Sequence, residues 1–127
     1  MIRAKSTKGY HKLLVWQKAR EFVILIYKYT ENYPRSEEFG LKGQTRRASV
    51  SILLTIVEGY RRRSTKEFLR FLDISEASLT EVEACLELVL DLGFLEEKEY
   101  NELEQKRAEL GFLIDSFEKS LKRRLNK

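Results

Sequence analysis

Residues 64–93 read STKEFLRFLDISEASLTEVEACLELVLDLG, and the fold class follows from them. Ser64 and Glu67 match the S-x-x-E pattern of a capping box, in which the serine hydroxyl accepts from the amide three residues on and the glutamate reaches back to the serine amide. Beyond it, Phe68, Leu72, Ser75, Leu79, Val82, Leu86 and Val89 recur at alternating spacings of four and three. That alternation lays one apolar stripe along a helix and marks the seam of a left-handed bundle. Gly93 stands directly after the last periodic residue, where a helix C-terminus favours glycine. The stretch therefore predicts a helix over residues 65–92 with a marked start and a marked stop.

Three more helices are predicted around it. Downstream, Tyr100, Leu103, Arg107, Leu110, Ile114, Phe117 and Leu121 repeat at helical spacing, within a helix expected over about residues 96–125. Glu96 and Glu97 suit its start, and Lys122, Arg123 and Arg124 suit its carbonyl end. Arg107 interrupts the stripe and is expected at a seam edge or paired. Upstream, about residues 41–60 form a helix whose inward face reads Leu41, Gln44, Ala48, Ser51 or Ile52, Thr55, Ile56 and Gly59. The small residues form a ridge that admits a close neighbour, and Gly59 marks either the helix end or a tight crossing. The first helix is expected over about residues 12–32, with Val15, Ala19, Phe22, Ile26 and Tyr29 on one face and Trp16, Val23 and Tyr27 widening it. Pro34 ends it, because the residue before a proline disfavours the α region. Residues 1–10 read as an irregular basic arm ahead of a bundle spanning residues 11–127. Short connections between four long helices imply an all-α, antiparallel, up-down-up-down four-helix bundle.

Composition agrees. Pro34 is the only proline in 127 residues and glycines are few, so the regular turn signals of an all-β chain are missing. One cysteine, Cys85, excludes an intrachain disulfide and suggests a reducing compartment. The N-terminus lacks the apolar core of a secretory signal, and no apolar run approaches a membrane span, so a cytoplasmic protein without membrane contact is expected. Phe71, Ile74, Leu88, Leu92, Leu69 and Leu90, with Leu53 and Leu54, lie off the main stripes. That apolar surplus suggests self-association, or another protein partner.

Nothing in the sequence has the pattern of a catalytic centre. Phosphate-binding glycine loops and the H-E-x-x-H metalloprotease motif are absent. His11 is the only histidine, which excludes a multi-histidine metal site and the usual di-iron bundle. Cys85, between Ala84 and Leu86, reads as a small buried hydrophobe. No enzyme activity, metal or cofactor is expected.

Charge is more informative. Residues 1–70 hold 16 Lys/Arg against 6 Asp/Glu, whereas residues 71–121 hold 4 against 14, and the last six residues add four positives. The strongest functional signal is Arg46, Arg47, Arg61, Arg62, Arg63, Lys66 and Arg70. Guanidinium groups pair with phosphate in bidentate fashion, so these residues could grip an RNA or DNA backbone with little sequence preference, and Tyr60 could stack on a base. The alternative is that the arginines pair with the acidic half, Glu76 to Glu104, within or between subunits. Glu58 is expected in a structural role, either as a buried partner of Arg46 or Arg62 or as an exposed i,i+4 mate of Arg62.

A series of short motifs carries a family resemblance from Leu14 to about Leu95: Leu14-Val15-Trp16-Gln17-Lys18-Ala19, Tyr33-Pro34, Phe39-Gly40-Leu41, Gln44, Arg46-Arg47-Ala48, Ile56-Val57-Glu58-Gly59, Arg63-Ser64-Thr65-Lys66-Glu67-Phe68, Arg70-Phe71-Leu72-Asp73-Ile74, Ser78-Leu79, Leu86 and Leu92-Gly93. On these the chain resembles the four-helix-bundle proteins encoded in 23S rRNA intervening sequences, also called S23 ribosomal proteins. It is similar as well to the accessory variability proteins of diversity-generating retroelements. The resemblance implies a homo-oligomer, a ring-like homopentamer in these groups, and no enzymatic activity. The second group implies contact with nucleic acid and a reverse transcriptase. The chain departs from the family at Ser51-Ile52-Leu53-Leu54-Thr55-Ile56-Val57-Glu58-Gly59, where Leu53 replaces a usual proline and Thr55 a usual asparagine. Leu53 and Leu54 make the outer side of that helix more apolar.

Overall fold

The structure is a computed structural model that describes residues 8–126; residues 1–7, most of the expected basic arm, lie outside the described residues, as does Lys127. Four α-helices follow one another: α1 (Leu14–Thr30), α2 (Leu41–Tyr60), α3 (Thr65–Leu92) and α4 (Glu97–Leu125). Two 3-10 turns, Gly9–Lys12 and Arg35–Glu37, precede α1 and α2. The first turn takes up Gly9 and Tyr10, expected in the irregular arm, and Lys12, expected at the start of the first helix. At the other end of α1, the Thr30 hydroxyl donates back to the Ile26 carbonyl at 2.8 Å, and the Tyr33 amide closes onto Thr30 at 3.1 Å just before Pro34.

The contacts along each seam run in opposite senses. Between α2 and α3, Gly59 meets Phe68 and Phe71, Thr55 meets Ser75 at 2.5 Å, and Ser51 meets Ser78 at 2.9 Å. Between α3 and α4, Phe68 packs on Phe117 while Glu83 binds Arg107. Between α1 and α4, Lys18 lies by Glu109 and Tyr29 by Glu102. Arg46 reaches Thr30 at the end of α1, while Tyr60 packs on Tyr10 before its start. Neighbouring helices are therefore antiparallel, and the four stripes converge on one core. Phe22, Ile26, Ile52, Ile56, Leu72, Val82, Leu86, Val89, Leu103, Leu110 and Ile114 are almost wholly buried there. Each such side chain contributes about 1.5–3 kcal/mol through removal from water.

Helix ends bear out the local chemistry in part. Ser64 Oγ accepts from the Glu67 amide at 3.1 Å, but Glu67 pairs with Arg70 rather than completing the box. The complete box is at α4, between Glu96 and Glu99, where the sequence showed only favourable charge. Gly93 adopts φ 78°, and the Phe94 amide reaches the Val89 carbonyl at 3.0 Å, a Schellman turn that sends the chain directly into α4.

The inward face of α2 differs from expectation in its first half. Lys42, Thr45 and Ser49 are buried and Gln44 is exposed. Thr45 and Ser49 satisfy their hydroxyls on the backbone of their own helix, at Leu41 and Arg46, so hydroxyls serve where apolar residues were sought. Phe71, expected off the stripe, is buried beneath the Arg62 guanidinium, whereas Leu54, Ile74, Leu88 and Leu92 remain exposed.

Gly59 is a crossing point, since α2 continues to Tyr60. A Cβ there would stand 2.7 Å from a ring carbon of Phe68 and 2.8 Å from Phe71 Cβ. Gly59→Ala should therefore lower stability by about 1–3 kcal/mol. Gly111→Ala, whose Cβ would meet only a Leu79 methyl at 3.1 Å, should cost distinctly less. Urea denaturation of the two variants checks the order.

Candidate nucleic-acid interface

The seven basic residues fall into three groups. Arg46 is a structural clamp. Its Nε donates to Thr30 Oγ1 at 2.8 Å, one terminal nitrogen donates to the Tyr27 carbonyl at 3.0 Å and contacts Glu31 at 3.2 Å, and the guanidinium lies over the Tyr27 ring. These bonds satisfy carbonyl and hydroxyl groups at the end of α1 and leave little of Arg46 for a ligand. Arg47 points outward beside an apolar groove of ≈ 640 Å³ lined by Tyr27, Phe39, Val50 and Leu54. It stands fourteen residues, or about 21 Å, from Arg61 along the chain of α2.

Arg61, Arg62, Arg63, Lys66 and Arg70 share the end of the bundle where α2 passes into α3, all exposed. Arg61 lies over Tyr10 and Arg62 over Phe71, contacts that hold the guanidinium stems without neutralising charge. Arg70 pairs with Glu67 at 3.3 Å. Among the described residues, Arg61, Arg62, Arg63 and Lys66 have no carboxylate within ion-pair distance. Glu58, expected to pair with Arg46 or Arg62, pairs with neither; it is exposed at the rim of the apolar groove.

The antiparallel path brings further cations here. The C-terminal turn of α4 ends beside the start of α3, so Arg124 joins Arg62 and Arg63 around a pocket of ≈ 230 Å³ floored by Tyr60, Phe68, Phe117 and Leu121. Lys122 and Arg123 flank it in the same exposed turn. Ser64 and Thr65 also line the pocket, which places the N-terminus of a 28-residue helix at its wall. The first amides of a helix lack internal acceptors, and the aligned peptide dipoles favour an anion there. The sequence showed the positive C-terminal tip but not its place beside Arg61–Arg63, because that proximity is made by topology. At the opposite end, the α3–α4 junction is acidic: Asp91 closes α3, and Glu96, Glu97 and Glu99 open α4.

Tyr60 is held in a line of edge-to-face rings, Tyr10–Tyr60–Phe68–Phe117. Tyr60 lines the pocket and remains partly exposed to solvent.

Other reactive groups are engaged elsewhere. Cys85 is buried; burial pushes its thiol up, partly countered by a hydrogen bond with Thr45. His11 stacks on Trp16 at 4.1 Å. Arg107, the interruption in the α4 stripe, is a paired residue at the seam: it binds Glu104 through two nitrogens, at 2.5 and 2.9 Å, and Glu83 on α3 at 3.1 Å. The Glu104 hydrogen bond raises its already high pKa further. Sequence reasoning missed one cluster: Asp73, Glu76 and Glu118, whose carboxylate oxygens all lie within 4.8 Å of one another. Glu118 follows Leu110 and Ile114 at helical spacing, so its inward position was legible; its neighbours on α3 were not.

Arg46→Ala should destabilise the fold by about 1–3 kcal/mol, because a buried hydroxyl and a carbonyl lose their donor. Arg47→Ala, at an exposed position, should change stability by less than about 0.5 kcal/mol. Chemical denaturation of both variants measures the contrast.

No curated protein matches this chain. Among solved structures, a protein with unknown function from the S23 ribosomal protein family of Bacteroides thetaiotaomicron VPI-5482 superimposes with a TM-score of 0.75 at 28% identity, covering 84% of this chain and 99% of that one. The 23S rRNA-intervening sequence protein family matches residues 11–116. With most of its four helices inside that match and the same fold in a solved relative, the chain belongs to the 23S rRNA-intervening sequence protein family.

Proposed function

We propose that this chain is a non-catalytic, self-associating bundle that grips the backbone of RNA or DNA with its basic end. The observation that carries the reading is the set of arginines at the α2–α3 junction without carboxylate partners, gathered with Arg124 around the N-terminus of α3. Phosphate is the ligand chemistry that such a surface fits. Guanidinium forks supply bidentate donors, and the helix start supplies amides and a favourable dipole. The residues that carry binding are Arg61, Arg62, Arg63, Lys66 and Arg124, with Arg70 partly held by Glu67 and Lys122 and Arg123 adding long-range attraction. Arg46 belongs to the scaffold, and Arg47 stands apart.

Self-association rests on the apolar surface. Phe39 is 93% exposed beside the groove along α2, with Leu54 at 51%. Burial of these groups against a second copy would stabilise an assembly and present several basic ends together, raising avidity without new contacts per chain.

A second reading makes the chain a protein-interaction scaffold whose arginines bridge between subunits. The acidic α3–α4 junction formed by Asp91, Glu96 and Glu97 favours it, since it offers a complement to the basic end.

Fluorescence anisotropy on single-stranded RNA, single-stranded DNA and duplex DNA at two salt concentrations separates the readings. Binding at low salt should weaken steeply as salt rises, and replacement of Arg61, Arg62 and Arg63 by Ala should flatten the slope by about 2–3 units. Absence of binding at low salt on all three probes overturns the nucleic-acid reading in favour of the scaffold. Light scattering on the same samples should give a mass of more than one chain.

A further inference from the structure

We propose that Asp73, Glu76 and Glu118 form a binding site for a hard divalent cation in the seam between α3 and α4. Asp73 and Glu76 stand one turn apart on α3, and Glu118 faces them from α4. The three offer carboxylate oxygens within 4.8 Å of one another. Two oxygens that share a calcium-sized ion at about 2.3–2.6 Å can be no farther apart than about twice that distance, so the spacing of the trio is within reach of a single ion.

A cluster of carboxylates alone would be an ordinary acidic surface. Glu118 makes this one different. It is only 4% exposed, its Oε1 is buried with no hydrogen-bond partner, and its carboxylate contributes an oxygen to the cluster. A buried carboxylate oxygen with neither donor nor cation is costly to maintain. Among the described residues, none of the three carboxylates forms an ion pair: nearby Asp115 is taken by Lys119 at 3.0 Å, and Lys122 acts on Glu76 from beyond pairing distance. The seam thus gathers negative charge, which Lys122 offsets only from a distance. A proton shared between two of the oxygens would leave the third unbalanced, whereas one divalent ion meets all three.

The donor set defines the class of ion. Three carboxylates with no nitrogen or sulfur ligand suit calcium, magnesium or manganese rather than zinc or copper. Asp73 is exposed and Glu76 half-buried, so the outer side stays open for the ion to enter and for water to complete its coordination. The site lies one turn from Arg70 and one turn from Lys122, at the edge of the basic end, yet its argument does not depend on nucleic-acid binding.

The full chain, stripped with EDTA and desalted, is titrated with CaCl2, MgCl2 and MnCl2 at constant ionic strength by isothermal calorimetry, and Tm is measured alongside. One of these ions should bind at one site per chain and raise Tm by about 4–10 °C in hundredfold excess over its Kd. Glu118→Gln should weaken binding at least about tenfold and abolish the Tm rise, since ligand charge sets affinity. Asp73→Asn, at an exposed position that leaves the core intact, should weaken it as well. Glu97→Gln, at the far end of α4, should leave it unchanged. No saturable binding up to about 10 mM of any of the three ions overturns the site. So does binding by Glu118→Gln and Asp73→Asn that equals wild type. If wild type ignores all three ions while Glu118→Gln melts higher, the cluster holds a shared proton and the cation site falls.

Discussion

Helices α2 and α3 approach so closely that a single methyl group at position 59 would occupy space held by Phe68 and Phe71. The rest of the molecule depends on that approach. Ala48, Ser49 and Thr55 keep the α2 face low, and Thr55 and Ser51 meet Ser75 and Ser78 across the seam. Hydrophobic contact is non-directional and would tolerate sliding, whereas the hydroxyl contacts across the seam are made at one axial position. The seam therefore holds α3 in a fixed register on α2. Fixing α3 fixes the junction that displays Arg61, Arg62 and Arg63, and it fixes where α4 must return.

Arginine plays two distinct parts in this bundle. Arg46 and Arg107 are drawn into seams, where Arg46 satisfies several acceptors at the end of α1 and Arg107 binds carboxylates on α3 and α4. Arg61 and Arg62 at the α2–α3 junction lie over aromatic faces, which orient the side chain and leave its charge open. The distinction follows from what surrounds them. Arg46 lies beside the end of α1, where carbonyls and Thr30 require donors, whereas the junction offers Tyr10 and Phe71 and few acceptors.

Much of the fold was legible in residues 64–93, because a cap, an unbroken ladder and a terminal glycine are local signals and each has a local physical cause. The first half of α2 was misread at Gln44 because its buried face is built from hydroxyls and the stem of Lys42, which a search for apolar periodicity passes over. Seven basic residues were marked as one surface, yet Arg46 was already committed to Thr30 and Glu31, partners sixteen and fifteen residues away that no spacing rule connects. Arg124 and the Asp73–Glu76–Glu118 cluster were missed for the same reason. Their neighbours come from distant helices, and only the direction of α4 brings them together.

Charge is uneven along the bundle, with cations gathered around the start of α3 and the end of α4, and carboxylates around the end of α3 and the start of α4. Such a molecule has an electric axis roughly along its length. Within about a Debye length of a large polyanion, this axis feels a torque as well as a pull, and the chain turns before it touches. Collisions that begin side-on are thus converted into end-on ones, so the fraction of productive encounters exceeds what the area of the basic end alone would give.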